Sequence, residues 1–264
     1  MSNRFLVLAA LFTLPSIAAA AEDAAAIETA PAAPLQPDWT VTVGGGALAT
    51  PSYPGASSFT VLPLPYIDVR YRDRFFLSPF AGIGVNAIST RRLQVGVAVL
   101  PDFGRSDSAA DRLRGWGSVG AGANLKAFVA YAVGPVGLLA DARRQIGAGN
   151  GTLIDLGVST TLPIARHLLL FPSAMVTWAD ARYTRTYFGI DANQSATSRA
   201  LPTYSAGAGL RDAALALFAV MPLDEHWSVQ SLVKAEMLLG DAASSPLTEQ
   251  RIQPTVGGFV AYRL

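Results

Sequence analysis

The alternation of apolar and polar side chains along most of the chain is the feature that most constrains its fold. Residues 39–264 form a succession of about 11 segments, each roughly 10 to 14 residues long and separated by turn-forming residues. In the segment 226–238, Val233, Ala235 and Met237 share one parity, whereas Lys234 and Glu236 occupy the other. A period of two is that of a β-strand with one apolar and one polar face. The pattern therefore predicts an all-β chain.

Charged residues recur in the middle of these segments on one parity, as they would around a polar lumen with lipid on the opposite face. A soluble sandwich would also alternate, but the long series of strands without a helical period favours a single antiparallel transmembrane β-barrel. The candidate lumen-lining residues are Asp68, Arg70, Asp141, Arg143, Lys234 and Glu236.

The expected number of strands follows from the barrel topology. With both termini on the periplasmic side the number must be even, with short turns on that side and longer loops outside. Between Asp73 and Gly134 the segments supply three strands where an even number is required. A further strand within Asp111–Gly122 would bring the total to 12. Ten strands remain an alternative if one segment has been divided wrongly.

Prolines interrupt the segment VLPLPYIDVRYRDRFFLSPF, residues 61–80. Pro63, Pro65 and Pro79 each lack the amide hydrogen that a strand ladder uses. We expect a bulge or weakened pairing near Pro63 and Pro65, which would form a local seam in the barrel.

The N-terminal residues have the organisation of a secretory signal peptide. Arg4 precedes a short apolar stretch, and the small residues 18–21 offer a cleavage site. We expect residues 1–21 to be the signal peptide, 22–38 a flexible Ala- and Pro-rich periplasmic lead-in, and 39–264 the barrel. The mature protein would then be an integral protein of the outer membrane, surrounded by its lipid.

Composition excludes several classes of function. The formal net charge of +1 offers no concentrated basic surface for nucleic acid, and the absence of cysteine excludes disulfides and thiolate metal sites. His167 and His226, the two histidines, both fall in expected short turns, and no motif places them beside specific carboxylates. We expect no catalytic residues, no cofactor and no metal, and hence no enzyme.

The segment YTRTYFGID and the residues after it form the candidate functional surface on the outside. Arginines and aromatic rings together could bind an anionic sugar, lipopolysaccharide or a protein. The candidate outer-loop residues are Arg182, Tyr183, Arg185, Tyr187, Phe188 and Arg199. The favoured alternative is a loop that folds over the barrel mouth, with its aromatic rings packed against one another.

The same region resembles the central signature of the MipA/OmpV family of outer-membrane proteins, also described as MltA-interacting proteins. The matching residues are Trp178, Asp180, Tyr183, Tyr187, Phe188, Gly189, Gln194, Ser195, Leu201, Pro202, Tyr204, Gly207, Gly209 and Asp212. The segments VLPLPYIDVRYRDRFFLSP, DEHWSV and LLGDAASSP are similar to further family motifs, so the resemblance covers about 39–264. The chain departs from the family in lacking a strongly acidic run after LPDFGRS, and it ends in Leu264 where an aromatic residue is usual.

The resemblance implies a non-catalytic scaffold that links a lytic murein transglycosylase to a penicillin-binding protein in peptidoglycan synthesis and remodelling. Assembly into the membrane would use the barrel-assembly machinery. A pore or a channel for small solutes or drugs is the alternative, and an outer-membrane enzyme is a third and less favoured one. Mixed charge in the lumen suits either a pore or a barrel closed by salt bridges.

Overall fold

The computed structural model describes residues 38–147, 149–165, 167–197 and 201–264; the expected signal peptide and nearly all of the lead-in lie outside these ranges. The strand segments are β1 (Trp39–Pro51), β2 (Phe59–Tyr71), β3 (Phe75–Ser78), β4 (Gly82–Ser89), β5 (Leu93–Asp102), β6 (Gly122–Val133), β7 (Val136–Ile146), β8 (Thr152–Thr160), β9 (Leu162–Ala165), β10 (Leu168–Ala179), β11 (Gly209–Pro222), β12 (Trp227–Leu238) and β13 (Ile252–Arg263). The described loops also contain α1 (Ala181–Phe188), α2 (Ala192–Thr197), α3 (Gly240–Ser244) and a 3-10 turn (Asp111–Leu113).

These segments form one closed antiparallel barrel of 12 strands. β8 and β9 are separated by one residue and both pair with β10, so they are two parts of a single barrel strand. Each strand pairs with the next along the chain, and β1 pairs with β13 to close the wall. Closure leaves no terminal sheet edge exposed to lipid, where unpaired backbone groups cost several kcal/mol each.

The twelfth strand comes from a different place than expected. The segment FFLSPFAGIGVNAI is not one strand but a hairpin of β3 and β4, with the turn at residues 79–81. Gly82 follows this turn at φ 82°, a conformation that favours glycine, so Pro79 and Gly82 together supply the turn chemistry. The expected strand within Asp111–Gly122 is wrong, because this region forms the 3-10 turn and a loop. The ten-strand alternative is wrong as well.

The two ends of the barrel differ in the length of their connections. One end carries short turns, at 72–74, 90–92, 134–135, 166–167 and 223–226, and the other carries the long loops 52–58, 103–121, 180–208 and 239–251. The end with the short turns is the periplasmic one. Within the described residues, no helix is both long enough and apolar enough to cross a membrane.

The faces of the strands separate lipid from lumen. On β8, Leu156 is 55% exposed on the outside, whereas Asp155 is 1% exposed on the inside. Aromatic pairs lie at the periplasmic rim, with ring centroids 4.6 Å apart for Trp39 and Tyr71 and 5.0 Å for Trp227 and Tyr262. Their position is that of an interfacial aromatic girdle.

The wall is interrupted between β2 and β5, because the β3–β4 hairpin is short. β2 pairs with β1 from Tyr71 to Phe59, but on its other side only Val69–Tyr71 pair with β3. Pairing with β1 passes through Pro63 and Pro65 without a shift in register, so the expected bulge is absent. The weakened pairing lies on the opposite edge of the strand.

Candidate functional site

The outer mouth of the barrel is covered by a cap built from the long loops. Two apolar clusters form its interior, one around α1 and α3 and the other between the loops 52–58, 103–121 and 239–251. The buried members of the first are Leu153, Ala179, Tyr183, Tyr187, Phe188, Ala206, Leu238 and Ala242. Those of the second are Tyr53, Ala56, Leu113, Trp116, Ile190 and Leu247. The cap is therefore a packed structure and not a set of separate loops.

Helix α1 is held in this cap by its own termini and by the barrel rim. Asp180 caps its N-terminus by accepting a hydrogen bond from the amide of Tyr183 at 2.8 Å. At its C-terminal end, the Ser245 hydroxyl donates to the carbonyl of Phe188 at 2.6 Å, and Arg105 Nη1 donates to the carbonyl of Tyr187 at 3.2 Å. The last two bonds connect α1 to two other outer loops, 103–121 and 239–251.

The structure corrects the candidate outer surface. Tyr183, Tyr187 and Phe188 are 6%, 6% and 0% exposed, because their rings fill the cap, and the two tyrosine rings stack at 4.6 Å. Arg182 and Arg185 lie on the exposed side of α1, and Arg199 lies outside the described residues. The favoured alternative, a loop folded over the mouth with its rings packed together, describes this arrangement.

Tyr187 acts as a neutral hydrogen-bonding group in the cap. The hydroxyl of Tyr187 accepts a hydrogen bond from Gln145 Nε2 at 3.1 Å, and Gln145 also donates to Asp102 at 2.7 Å. Burial raises the pKa of Tyr187 to about 12. Its phenol therefore remains protonated at neutral pH.

Ion pairs cross the lumen face beneath the cap. Asp141 lies 3.6 Å from Lys126 and 3.5 Å from Arg143, and Arg143 also contacts Asp155 on the next strand. On β12, Lys234 and Glu236 pair at 2.7 Å. Among the described residues, ion pairs of the lumen join five basic to five acidic side chains. The basic ones are Arg70, Lys126, Arg143, Arg211 and Lys234, and the acidic ones are Asp68, Asp141, Asp155, Asp212 and Glu236. The network is balanced in charge.

The structure places all six candidate lumen-lining residues on this inner face. Asp68 and Arg70 pair with each other on β2 at 3.1 Å, away from the Asp141–Arg143 and Lys234–Glu236 pairs. The candidates thus do not form a single site. These three pairs each lie within one strand, whereas Lys126–Asp141 and Arg143–Asp155 join neighbouring strands and can hold them in register.

Arg211 is the member of the network that the sequence pattern missed. By alternation with the inward-facing Asp212 it would point to lipid, but the register between β10 and β11 shifts at Thr177 and Trp178. This bulge turns the Arg211 side chain inward, where it contacts Asp212, lies 3.7 Å from Glu236 and donates to the Tyr183 hydroxyl at 2.9 Å. It joins the cap to the lumen. Two successive charged residues in an alternating strand were the available signal.

An apolar layer fills the lumen nearer the periplasmic end. It contains the ring pairs Phe171–Phe218 at 6.2 Å, Tyr66–Phe259 at 5.8 Å and Phe76–Phe128 at 6.1 Å. Five of these six rings are nearly completely buried, with exposed fractions of 0 to 7%: Tyr66, Phe76, Phe128, Phe218 and Phe259. These packed rings fill the lumen at this level.

A depression of about 820 Å³ follows strands β6 to β13, excluding β9. Most of its lining side chains, including Leu138, Leu156, Val176 and Leu215, face outward into lipid. Its apolar character is that of the membrane-facing surface.

The periplasmic turns are exposed and carry charges of opposite sign on different sides. Arg74, Arg91 and Arg92 are exposed on the neighbouring turns below β2–β5. Across the barrel, Asp224 and Glu225 are exposed, and the amides of Trp227 and His226 hold the pKa of Asp224 below its usual value.

The two histidines lie apart from the ion pairs of the lumen. His226 is in the exposed β11–β12 turn with its ring stacked on Tyr262 at 5.4 Å, and His167 is in the turn before β10. Within the ranges that the structure describes, no group of three or more histidines and carboxylates is arranged to hold a metal ion.

Comparison with known proteins gives a family match over most of the chain. The model of the family described as MltA-interacting protein MipA matches residues 43–264. No curated protein sequence matches the chain. Solved structures match across most of the chain at low identity and with TM-scores below 0.5.

Three of them illustrate the range. A bacterial polysaccharide outer membrane secretin is 9% identical with a TM-score of 0.44, covering 86% of this chain and 98% of its own. The NanC porin is 9% identical with a TM-score of 0.41, covering 85% and 100%. The translocator domain of the autotransporter NalP from Neisseria meningitidis is 12% identical with a TM-score of 0.36, covering 87% and 89%.

Proposed function

Because this chain belongs to the MipA family of MltA-interacting proteins, we propose that it is a non-catalytic scaffold at the periplasmic face of the outer membrane. It would link a lytic murein transglycosylase to a penicillin-binding protein during peptidoglycan synthesis and remodelling. The barrel is an outer-membrane barrel of the MipA type. What we propose is its role as a scaffold and the identity of its partners.

The observation that carries the proposal, beside the family match, is the closure of the barrel at two levels. The cap covers the outer mouth, and the apolar layer around Phe218 and Phe259 fills the lumen below it. A barrel closed in this way has its periplasmic end as the face that soluble periplasmic enzymes can reach. The 12 strands then serve to hold that face in the membrane.

The charge distribution on the periplasmic end supports binding of more than one partner. The basic side chains Arg74, Arg91 and Arg92 lie below β2–β5, and the acidic pair Asp224 and Glu225 lies below β11–β12. Two regions of opposite sign on one rim favour partners with complementary surfaces, since electrostatic complementarity guides encounter and orientation. Charged rims also contact lipid headgroups, which makes a direct test necessary.

A pore or a channel for small solutes or drugs is the second candidate. It is favoured by the charged side chains that line the outer half of the lumen, such as Lys126 and Lys234. Passage would require displacement of the cap and of the apolar layer. An enzyme is the third, and the phenol of Tyr187 and the two histidines offer no assembled acid, base and nucleophile.

A photo-crosslinking experiment in cells tests the scaffold directly. A benzophenone amino acid replaces Arg74, Arg92 or Glu225 on the periplasmic turns in turn, and Arg182 or Arg185 on the outside of the cap as matched controls. We expect adducts with murein enzymes from the periplasmic positions and none from the cap positions. Mass spectrometry of the affinity-purified barrel identifies the adducts.

The opposite outcome has a clear form. If all three periplasmic positions give the same background as the cap positions, the scaffold proposal fails. A reproducible open channel of the purified protein in planar bilayers would then favour the pore, because a barrel closed at two levels should not conduct.

A further inference from the structure

The interruption in the wall has a defined outline. β2 forms one side, with residues 59–68 paired to β1 alone, and the end of β5 forms the other, with Leu100–Asp102 paired to β6 alone. The turn of the β3–β4 hairpin forms the lower boundary. Above, the loops 52–58 and 103–121 meet, since Tyr53 packs in one cluster with Leu113 and Trp116. The result is a window in the wall.

Prolines occupy the positions of this window where an amide hydrogen would face the opening. The Arg72 amide donates to the carbonyl of Asp38, so even-numbered residues of β2 bond to β1 and the odd-numbered Pro63 and Pro65 face away. On β5, the Arg92 carbonyl accepts from Ala132, so even residues bond to β6. Pro101 therefore also faces the opening.

These prolines argue that the window stays free of further strands. An unpaired strand edge offers a row of donors and acceptors to any other strand, and proline removes the donors. In lipid the same substitution avoids amide hydrogens without a partner. Prolines interrupt the row of donors on both edges, which makes each edge less suited to strand addition.

The window lies in the outer part of the membrane span. On β2 it begins three residues above Tyr71, which lies at the periplasmic rim, and extends to Phe59 at the outer end. On β5 it begins at Leu100, seven residues above Leu93. A strand of about 10 tilted residues crosses the hydrocarbon core, so these levels face mainly the acyl chains of the outer leaflet.

Above the Asp68–Arg70 pair at its lower edge, the lumen behind the window is mainly apolar. Tyr66, Phe259 and Ala261 form a buried cluster, with Leu48, Leu64 and Phe80 packed against it. Phe80 stands on the hairpin turn and its ring lies 5.7 Å from that of Phe259. Leu62, which has the parity of the inner face, is still 44% exposed because no strand covers its side. Hydrocarbon outside and an apolar surface inside are thus continuous.

We propose that this window admits an acyl chain of an outer-leaflet lipid, which packs on the apolar side chains that remain accessible at the opening, Leu62, Leu64 and Phe80. The cap prevents entry from above, which makes the window the route of lowest obstruction. This role is separate from any periplasmic partner.

Single cysteines test the route, since the native chain has none to interfere. Leu64→Cys places a thiol on the inner face beside the window, and Ala216→Cys places one on the inner face of β11, behind a fully paired wall. Both variants are reconstituted in phosphatidylethanolamine–phosphatidylglycerol vesicles and treated with N-dodecylmaleimide, which partitions into the bilayer. We expect Leu64→Cys to react several-fold faster, as measured by the mass of the intact protein.

The controls separate entry through the window from loss of structure. Val233→Cys, which faces lipid, gives the fastest rate expected, and each variant must keep the heat-modifiable mobility of a folded barrel. If Leu64→Cys does not fold, Leu48→Cys in the same patch replaces it. Equal labelling of the Leu64 and Ala216 thiols by the bilayer probe would overturn the proposal, whatever the outcome of the crosslinking to murein enzymes.

Discussion

Two pairs of neighbouring strands in this barrel begin at the periplasmic end and extend to different heights. β6 and β7 pair from Val133 and Val136 through Ala123 and Ile146, across the full wall, whereas β3 and β4 pair over the four residues of β3. The long hairpin leaves its backbone satisfied on both sides. The short one leaves β2 and β5 with free edges that carry prolines.

The lumen differs beside these two hairpins in the same sense. Next to β6–β7 lie Lys126, Asp141 and Arg143, which pair with one another and with Asp155. Next to the short hairpin lie Phe80 and other apolar side chains of the window patch. A complete wall allows buried charges, because it keeps lipid away from them. An incomplete wall requires an interior that hydrocarbon can contact.

The largest effect should come from breaking the charge network on the complete side. Arg143→Leu leaves Asp155 without a basic partner and Asp141 with Lys126 alone, and breaking a buried ion pair costs about 3 to 5 kcal/mol. Urea unfolding in lipid vesicles, followed by tryptophan fluorescence, measures the loss. Arg182→Leu on the exposed side of α1 is the control and should stay within about 0.5 kcal/mol. Equal stabilities of Arg143→Leu and Arg182→Leu would contradict a stabilising role of the charge network.

Proline substitution should separate the two hairpins most directly. Ala140→Pro in β7 removes a donor between two full-length strands and should cost about 3 kcal/mol or prevent assembly. Pro63→Ala at the window edge breaks no ladder bond and adds a single amide hydrogen that faces the opening, so it should lower the free energy of unfolding by clearly less than Ala140→Pro. Similar costs at both positions would contradict the edge assignment.

A smaller effect is expected in the cap, which rests on the full-height strands. Asp180→Ala removes the N-terminal cap of α1 and should cost about 1 kcal/mol locally. Hydrogen exchange at the amides of α1 should then accelerate, while the wall strands keep their protection. Thr186→Ala, also on α1, is the control, because it loses a bond only within the helix.

The same carboxylate predicts a pH dependence. Burial acts to raise the pKa of Asp180, but hydrogen bonds from Tyr183 and Thr152 outweigh it, and the pKa lies below the usual 3.8. A depressed folded pKa stabilises the folded state above the unfolded value, and this contribution is lost as the pH falls through the folded pKa. Exchange in α1 should therefore increase below pH 3.8 in the native protein and depend less on pH in Asp180→Ala.

The smallest effect concerns the closing seam between β13 and β1. Leu264 is 73% exposed, and its amide donates to the carbonyl of Val41 at 3.0 Å. Leu264→Phe supplies the aromatic terminus that the barrel-assembly machinery usually meets, so membrane yield should be preserved or slightly raised. Quantitative blotting of outer-membrane fractions measures it, and a clear loss of yield would contradict the expectation.

Much of the fold could be predicted from local patterns. The period of two identified the strands, and the requirement for an even number gave the correct total of 12. The predicted location of the twelfth strand was wrong, because Phe75–Ser78 is too short to be recognised as a strand from its own sequence. Its pairing with β2 and β4 depends on residues beyond the segment.

The candidate site was also predictable only in part from local patterns. The parity of Asp141 and Lys234 follows from alternation, so their face could be read from neighbouring residues. Arg211 breaks the alternation through a bulge that forms only when β10 and β11 pair. Tyr187 carries no parity signal, and its burial depends on loops that are distant in the chain.

The sequence by itself determined that this chain is a lipid-exposed barrel with a polar and an apolar side to each strand, because alternation is a local property of neighbouring residues. The tertiary structure alone decided that the mouth is capped, that the lumen is filled, and that Pro63, Pro65 and Pro101 face one opening. Those features arise from contacts between residues far apart in the chain, and their geometry is fixed only when the wall closes.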